Sequence, residues 1–171
     1  MNSAFKDHFS SQATDYARFR PNYPAELFAW LAGIAPSRDT AWDCGTGSGQ
    51  AAIGLAAHFA RVFATDPSRK QLEHAEPHPR IDYRLAPAEV SLLDTASIDL
   101  VTVAQAIHWF DLDKFYAEAK RVLKPGGIIA AWTYTLLDVE AGVDTLVSDY
   151  YRNVVGPYWP PERKMVDDRY R

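Results

Sequence analysis

The sequence predicts an α/β fold: a doubly wound, mostly parallel sheet with helices on both faces. Three observations predict it. From about residue 40 to 135, short β-branched or apolar runs alternate with longer helical patterns. A glycine-rich turn, Asp43-Cys44-Gly45-Thr46-Gly47-Ser48-Gly49, joins the first strand to the next helix. An acidic residue, Asp66, closes the second strand.

Strands are expected at Thr40–Cys44, Val62–Asp66, Ile81–Leu85, Leu100–Ala104 and Ile128–Trp132. Helices are expected at Ser48–Ala60, Ser68–Ala75 and Leu112–Leu123. The last of these should stop at Lys124-Pro125-Gly126-Gly127, because proline cannot continue a helix and glycine supplies the turn. Strands alternating with helices imply right-handed crossovers, and such sheets bind ligands at the carboxyl ends of their strands. Upstream, Pro24–Ile34 reads as an amphipathic helix with Leu27, Phe28, Leu31 and Ile34 on one face. Phe9 to Tyr23 is rich in aromatics and arginine, too polar for core and too aromatic for a plain linker. Downstream, Asp138–Val155 reads as one more helix, and no strand is evident beyond Tyr134. Three regions follow: an N-terminal helical cap or lid at 1–36, an α/β ligand-binding core at 37–135, and a C-terminal helical region at 136–171.

A chain of 171 residues suits one domain with a real core. The formal net charge of −4 argues against a general electrostatic grip on nucleic acid or anionic membrane. No apolar run approaches a bilayer span, and the start, Met1-Asn2-Ser3-Ala4-Phe5-Lys6, has no signal-peptide pattern. A single cysteine, Cys44, excludes an internal disulfide and any cysteine-clustered metal site. No metal is expected, the expected compartment is cytoplasmic, and the expected state is monomer or homodimer.

Three cofactor readings compete for the glycine turn. A phosphate-cradling P-loop needs Lys followed by Ser or Thr after its last glycine, whereas Gly49 is followed by Gln50-Ala51. That reading fails. A dinucleotide fold wants a small third residue where Gln50 stands, and Asp43 would set a carboxylate beside a pyrophosphate. NAD is poorly served. S-adenosylmethionine carries a sulfonium and an ammonium and no phosphate, so an acid at the strand end helps it. The helix N-terminus after Gly49 favours its carboxylate. Asp66 can accept hydrogen bonds from both ribose hydroxyls, a device that NAD enzymes share, so it supports a nucleoside without choosing one. Its plain alternative is a helix cap ahead of Pro67-Ser68.

With these residues placed, the chain resembles the class I S-adenosylmethionine-dependent methyltransferases, nearest to the small-molecule branch termed type 11 or UbiE-like. Asp43–Gly49 matches the first motif and Asp66 the ribose-binding acid. Ala88-Glu89 corresponds to the loop that holds the adenine edge. Gln105-Ala106-Ile107-His108-Trp109-Phe110-Asp111 matches the segment near the methyl donor. Arg121-Val122-Leu123-Lys124-Pro125-Gly126-Gly127 matches the turn before the fifth strand. Tyr16-Ala17-Arg18-Phe19-Arg20-Pro21-Asn22-Tyr23-Pro24 resembles a segment that covers the cofactor. The resemblance implies a Rossmann-like fold and an enzyme that methylates a small-molecule acceptor with S-adenosyl-L-methionine. It implies a cofactor site of Asp43, Gly45, Thr46, Gly47, Gly49, Asp66, Pro67, Ala88, Glu89, Gln105, Tyr16 and Arg20. Two departures stand out. Pro87 occupies a position where relatives often carry a hydroxyl or an acid. The family's sheet also continues with an antiparallel hairpin, so this sequence resembles a truncated member lacking it.

Methyl transfer from a sulfonium is an in-line displacement that depends chiefly on alignment, so no enzyme nucleophile is required. His108 is the expected base if the acceptor is a hydroxyl or acid, and otherwise it packs the site floor with Trp109. His108, Trp109 and Tyr134 are the expected acceptor contacts. Tyr16, Arg20 and Tyr23 form either a lid or a solvated helix with docked aromatics. Enzymes that methylate exocyclic amines of bases carry an Asn/Asp-Pro-Pro-aromatic clamp after the fourth strand, and Gln105–Phe110 has none. The remaining alternatives are a non-catalytic S-adenosylmethionine-binding module and, behind it, an NAD-dependent oxidoreductase.

Overall fold

A computed structural model describes residues 23–134, 136, 138–168 and 170. Five strands, β1 (Thr40–Cys44), β2 (Arg61–Asp66), β3 (Ile81–Leu85), β4 (Ile98–Ala104) and β5 (Leu123–Trp132), form one sheet in the order β3-β2-β1-β4-β5. The pairs β1–β2, β1–β4 and β2–β3 are parallel. The chain winds outward from β1 through β2 to β3, then crosses back to lay β4 on the other side of β1. Strand order therefore reverses beside β1, where a crevice opens at the strand ends. Register places Cys44 opposite Thr65 and Asp43 opposite Thr102, so three strands end close together.

The two central strands are buried almost throughout because helices cover both sheet faces. This explains the apolar Leu100, Val101 and Val103, all wholly buried. Trp42, wholly buried, satisfies its indole N–H on the Thr65 hydroxyl at 2.9 Å and packs near Phe115. Helix α1 (Ala25–Ile34) buries Phe28, Leu31 and Ala32, whereas Ile34 at its end is exposed. The Phe28 ring lies so close to α2 (Gln50–Ala56) that a Cβ on Gly54 would clash with it. Helix α2 starts later and ends earlier than the pattern suggested. The amides of Ala60 and Arg61 are already bonded to the carbonyls of Arg38 and Asp39, which draws the chain into the sheet.

Helix α3 (Arg69–Glu73) is capped by Ser68, and α4 (Leu112–Val122) by Asp111. Helix α4 buries Phe115, Ala119 and Val122 at helical spacing, ending where the sequence places its stop. Strand β5 begins at Leu123, ahead of the expected Ile128, and it carries Pro125-Gly126-Gly127 within it, Gly126 at φ +80. Asp99, 1% exposed, explains why β4 also starts early. Its carboxylate accepts from the Thr40 amide, the Thr40 hydroxyl and Lys124 Nζ, so a charged residue sits inside the strand.

The chain divides into two compact units between Ala131 and Trp132. The second holds α5 (Ala141–Asp149), a π-turn Tyr150–Val155, a short turn Gly156–Tyr158 and α6 (Arg163–Asp167). Helix α5 starts at Ala141 because the Asp144 carboxylate takes the Val139 amide at 2.8 Å. The Arg163 guanidinium lies over the Tyr151 and Trp159 rings, 5.5 and 5.1 Å from their centroids. Among the described residues no strand follows β5, and no helix is long and apolar enough to cross a membrane.

Candidate active site

The glycine turn leaves β1 and is pinned at once to β2, because the Gly45 and Thr46 amides both donate to the Thr65 carbonyl at 2.9 Å. Asp43, 1% exposed, lies beneath it. One carboxylate oxygen accepts from the Thr46 hydroxyl at 2.6 Å and the other from the Thr102 hydroxyl at 2.8 Å. The carboxylate thus ties the turn to the ends of β1 and β4. Burial pushes its pKa up to about 6 against the pull of those two hydroxyls, and the neighbouring Asp66 charge adds to the rise.

Asp66, 8% exposed, faces the turn from the end of β2. Its Oδ2 accepts from the Gly47 amide at 2.9 Å and its Oδ1 from the Ser68 amide at 2.8 Å. Ser68, not Asp66, is the helix cap, so the carboxylate braces the turn and the approach to α3 together.

The glycines differ in their reasons. A Cβ on Gly45 would meet Ala106 Cβ at 2.7 Å and the Phe110 ring at 3.1 Å, so this position is small because the segment after β4 packs on it. Gly47 has φ +57, and the nearest atom to an added Cβ is Gln71 Oε1 at 3.9 Å. Among the described residues the space over Gly47 is therefore open to a ligand lying against main chain.

At the end of β4, Gln105 is half-buried with φ +57, a left-handed backbone that is strained for a non-glycine residue and concentrates at functional sites. The turn Ile107–Trp109 follows, with His108 9% exposed and its ring 4.9 Å from that of Trp109. Phe110 packs against Phe115 with the rings tilted by 53° and their centroids 5.1 Å apart. Ala88 is buried after β3, and the Glu89 carboxylate accepts the Asp111 amide at 2.9 Å, which links the loops after β3 and β4. Pro67 is half-buried beside Asp66. Cys44 is buried and its thiol pKa is raised, chiefly by burial, as suits a packed side chain rather than a reactive one.

The structure thus gathers Asp43, Gly45, Thr46, Gly47, Gly49 and Asp66 around one turn and sets Gln105 at the neighbouring strand end. Tyr16 and Arg20 lie outside the described residues. Tyr134, 44% exposed, belongs to the second unit. Among the described residues no three His, Cys, Asp or Glu side chains form a metal-binding group.

Two residues escaped the sequence reading. Thr102 looked like one more β-branched core residue, and only its register opposite Asp43 shows what its hydroxyl does. Gln71 is 4% exposed, and its Oε1 is buried with no hydrogen-bond donor among the described residues. A glutamine on the short helix just after the strand-ending acid was the available signal.

Comparison with known proteins agrees with this geometry. The methyltransferase domain family matches residues 42–131. A Dictyostelium discoideum protein named as a methyltransferase is 42% identical over 170 residues, covering 97% of this chain and 65% of its own length. A Saccharomyces cerevisiae protein named as an S-adenosylmethionine-dependent methyltransferase is 30% identical, covering 72% of this chain and 45% of its own. Among solved structures, a type II methyltransferase from Anaeromyxobacter dehalogenans superposes with a TM-score of 0.81 at 51% identity, covering 90% of this chain and 65% of that one. The chain thus spans about two thirds or less of the length of these relatives. A Haemonchus contortus phosphoethanolamine N-methyltransferase, solved with S-adenosylhomocysteine, shares the fold at 21% identity and a TM-score of 0.63. The sheet order, the glycine turn and these matches together make the chain a member of the class I S-adenosylmethionine-dependent methyltransferase family.

Proposed function

We propose that this chain binds S-adenosyl-L-methionine over the glycine turn and catalyses methylation of a small-molecule acceptor. The observation that carries the reading is the space over Gly47 that the described residues leave open, with the Asp66 carboxylate at its edge, the buried Asp43 carboxylate beneath the turn, and no Lys or Arg on the turn itself. That arrangement favours a cationic nucleoside and disfavours a pyrophosphate. When bound, the cofactor supplies an electrophilic methyl group on a sulfonium.

The protein's part is to hold and align. Asp66 would accept from the ribose, the Gly45–Gly49 backbone would let the amino-acid portion lie close, and the buried Asp43 charge would favour the cationic groups. Ala88 and Glu89 would border the adenine, with Pro67 packing beside the ribose. Gln105 and the His108–Trp109 turn would face the methyl, where His108 takes a proton from a hydroxyl or acid acceptor. Tyr16 and Arg20, which lie outside the described residues, complete the proposed site from the sequence alone. The net charge of −4 favours a small acceptor over nucleic acid, in a cytoplasmic monomer or homodimer.

The test is transfer of radiolabelled methyl from S-adenosylmethionine to the ultrafiltered metabolite fraction of a cell extract. Label in that fraction is the expected result. Label confined to nucleic acid or protein would refute the small-molecule reading, and binding without transfer would make the chain a cofactor-binding module.

A further inference from the structure

We propose that Gln71 is a second ribose-binding residue, accepting a hydrogen bond from one hydroxyl of the cofactor's vicinal diol beside Asp66. The inference rests on the reading of the turn as an S-adenosylmethionine site and adds to it a residue that fixes which sugar is accepted.

Gln71 is 4% exposed, and its Oε1 is buried with no donor among the described residues. A buried acceptor without a donor is unfavourable and unusual, and it calls for a partner from outside the described residues, a role that a bound ligand fills. The oxygen points at the turn, for it is the nearest atom to a Cβ placed on Gly47, at 3.9 Å. On the same glycine the amide is held by Asp66 Oδ2 at 2.9 Å. A short chain of bonds fixes the two acceptors relative to each other. Asp66 Oδ1 takes the Ser68 amide at 2.8 Å, and Ser68 Oγ takes the Gln71 amide at 3.4 Å. Gly47 thus lies between a carboxylate and a carboxamide oxygen, both acceptors.

Two acceptors ask for two donors on neighbouring atoms. A ribose with free 2′ and 3′ hydroxyls offers two O–H groups on adjacent carbons. A phosphate dianion or a carboxylate offers none. A charged carboxylate on one hydroxyl and a neutral amide on the other also divides the work. Asp66 supplies most of the strength, and Gln71 penalises a sugar lacking the hydroxyl that it would otherwise satisfy.

The test is calorimetry with S-adenosylhomocysteine and its 2′-deoxy and 3′-deoxy analogues, on the wild-type chain and on Gln71→Met, Gln71→Leu and Asp66→Asn. Gln71→Met should weaken S-adenosylhomocysteine about tenfold. One deoxy analogue should bind wild type about tenfold more weakly than the parent but bind Gln71→Met as well as the parent does, the non-additive signature of a shared contact. The ligand-free melting temperature of Gln71→Met should hold or rise, because the variant removes an unmet acceptor. A loss from mere misfolding would lower it instead. Should Gln71→Met not fold, Gln71→Leu is read in the same way, and the wild-type ratios for the analogues stand by themselves. Equal binding by wild type and Gln71→Met, or analogues bound by wild type as tightly as the parent, overturns the proposal. If Asp66→Asn abolishes binding while the Gln71 variants do not, the cofactor reading survives and only Gln71 falls. If wild type binds no S-adenosylhomocysteine, both fall.

Discussion

Replacing Asp43 by Asn should stabilise the ligand-free protein at neutral pH and remove a pH dependence that the wild type carries. Asp43 is 1% exposed, and burial lifts its pKa from 3.8 to about 6. At about 1.4 kcal/mol for each tenfold change, that rise corresponds to about 3 kcal/mol. The folded chain holds this proton more tightly than the unfolded chain does. The stabilisation is therefore fully present below about pH 4 and is lost as pH rises through about 6. The Asn side chain keeps the shape and an acceptor for one threonine hydroxyl, while the other hydroxyl must reorient, which returns about 1 kcal/mol.

Urea unfolding of both proteins, followed by tryptophan fluorescence from about pH 4 to about pH 7.5, isolates the effect because other carboxylates cancel in the difference. Wild type should lose about 2 to 3 kcal/mol relative to Asp43→Asn across that window. A difference that is flat, or that grows in favour of wild type as pH rises, would show an ordinary or ion-paired carboxylate and refute the reasoning. The same charge predicts a binding effect. If a cationic cofactor returns Asp43 to the usual carboxylate range, affinity should rise about tenfold from about pH 5 to about pH 7, and Asp43→Asn should lack that rise.

Gly47→Ala should cost about 1 kcal/mol of stability, since φ +57 is strained for alanine yet among the described residues the atom nearest its methyl is Gln71 Oε1 at 3.9 Å. That methyl enters the ligand's space, so calorimetry should show S-adenosylhomocysteine weakened by well over tenfold, and retained affinity would move the ligand off the turn. Glu118 accepts from the Ser91 amide and hydroxyl and from Arg121, and the Arg121 guanidinium, opposed by burial, holds its pKa down near 2. Glu118→Gln should cost about 1 to 3 kcal/mol at neutral pH. In wild type this contribution, present above the unfolded value of 4.5, should fade as pH falls toward about 2, which acid titration of both proteins would reveal.

Much of the fold was legible because period and punctuation agreed along the chain. Thr40–Cys44 and Ile81–Leu85 appear with the expected ends, each a short run bounded by turn residues. The misplaced boundaries share a cause: tertiary partners overrode local signals. Asp99 lies outside the expected Leu100–Ala104 strand, and bonds from Thr40 and Lys124 to its carboxylate draw it in. Pro125-Gly126-Gly127 stops α4 as expected but does not delay β5. At the site, the turn and Asp66 were legible because their chemistry needs particular residue types in sequence order. Thr102 and Gln71 were not, because their roles arise from strand register and from the angle at which α3 leaves β2, neither of which leaves a local pattern.

The space over Gly47 decides the cofactor, and side-by-side calorimetry of the chain with S-adenosylmethionine and with NAD measures directly what it accepts. Saturable one-to-one binding of S-adenosylmethionine with no heat from NAD is the predicted result. Binding of NAD, or a S-adenosylmethionine isotherm unaltered by both Asp66→Asn and Gly47→Ala, would contradict it.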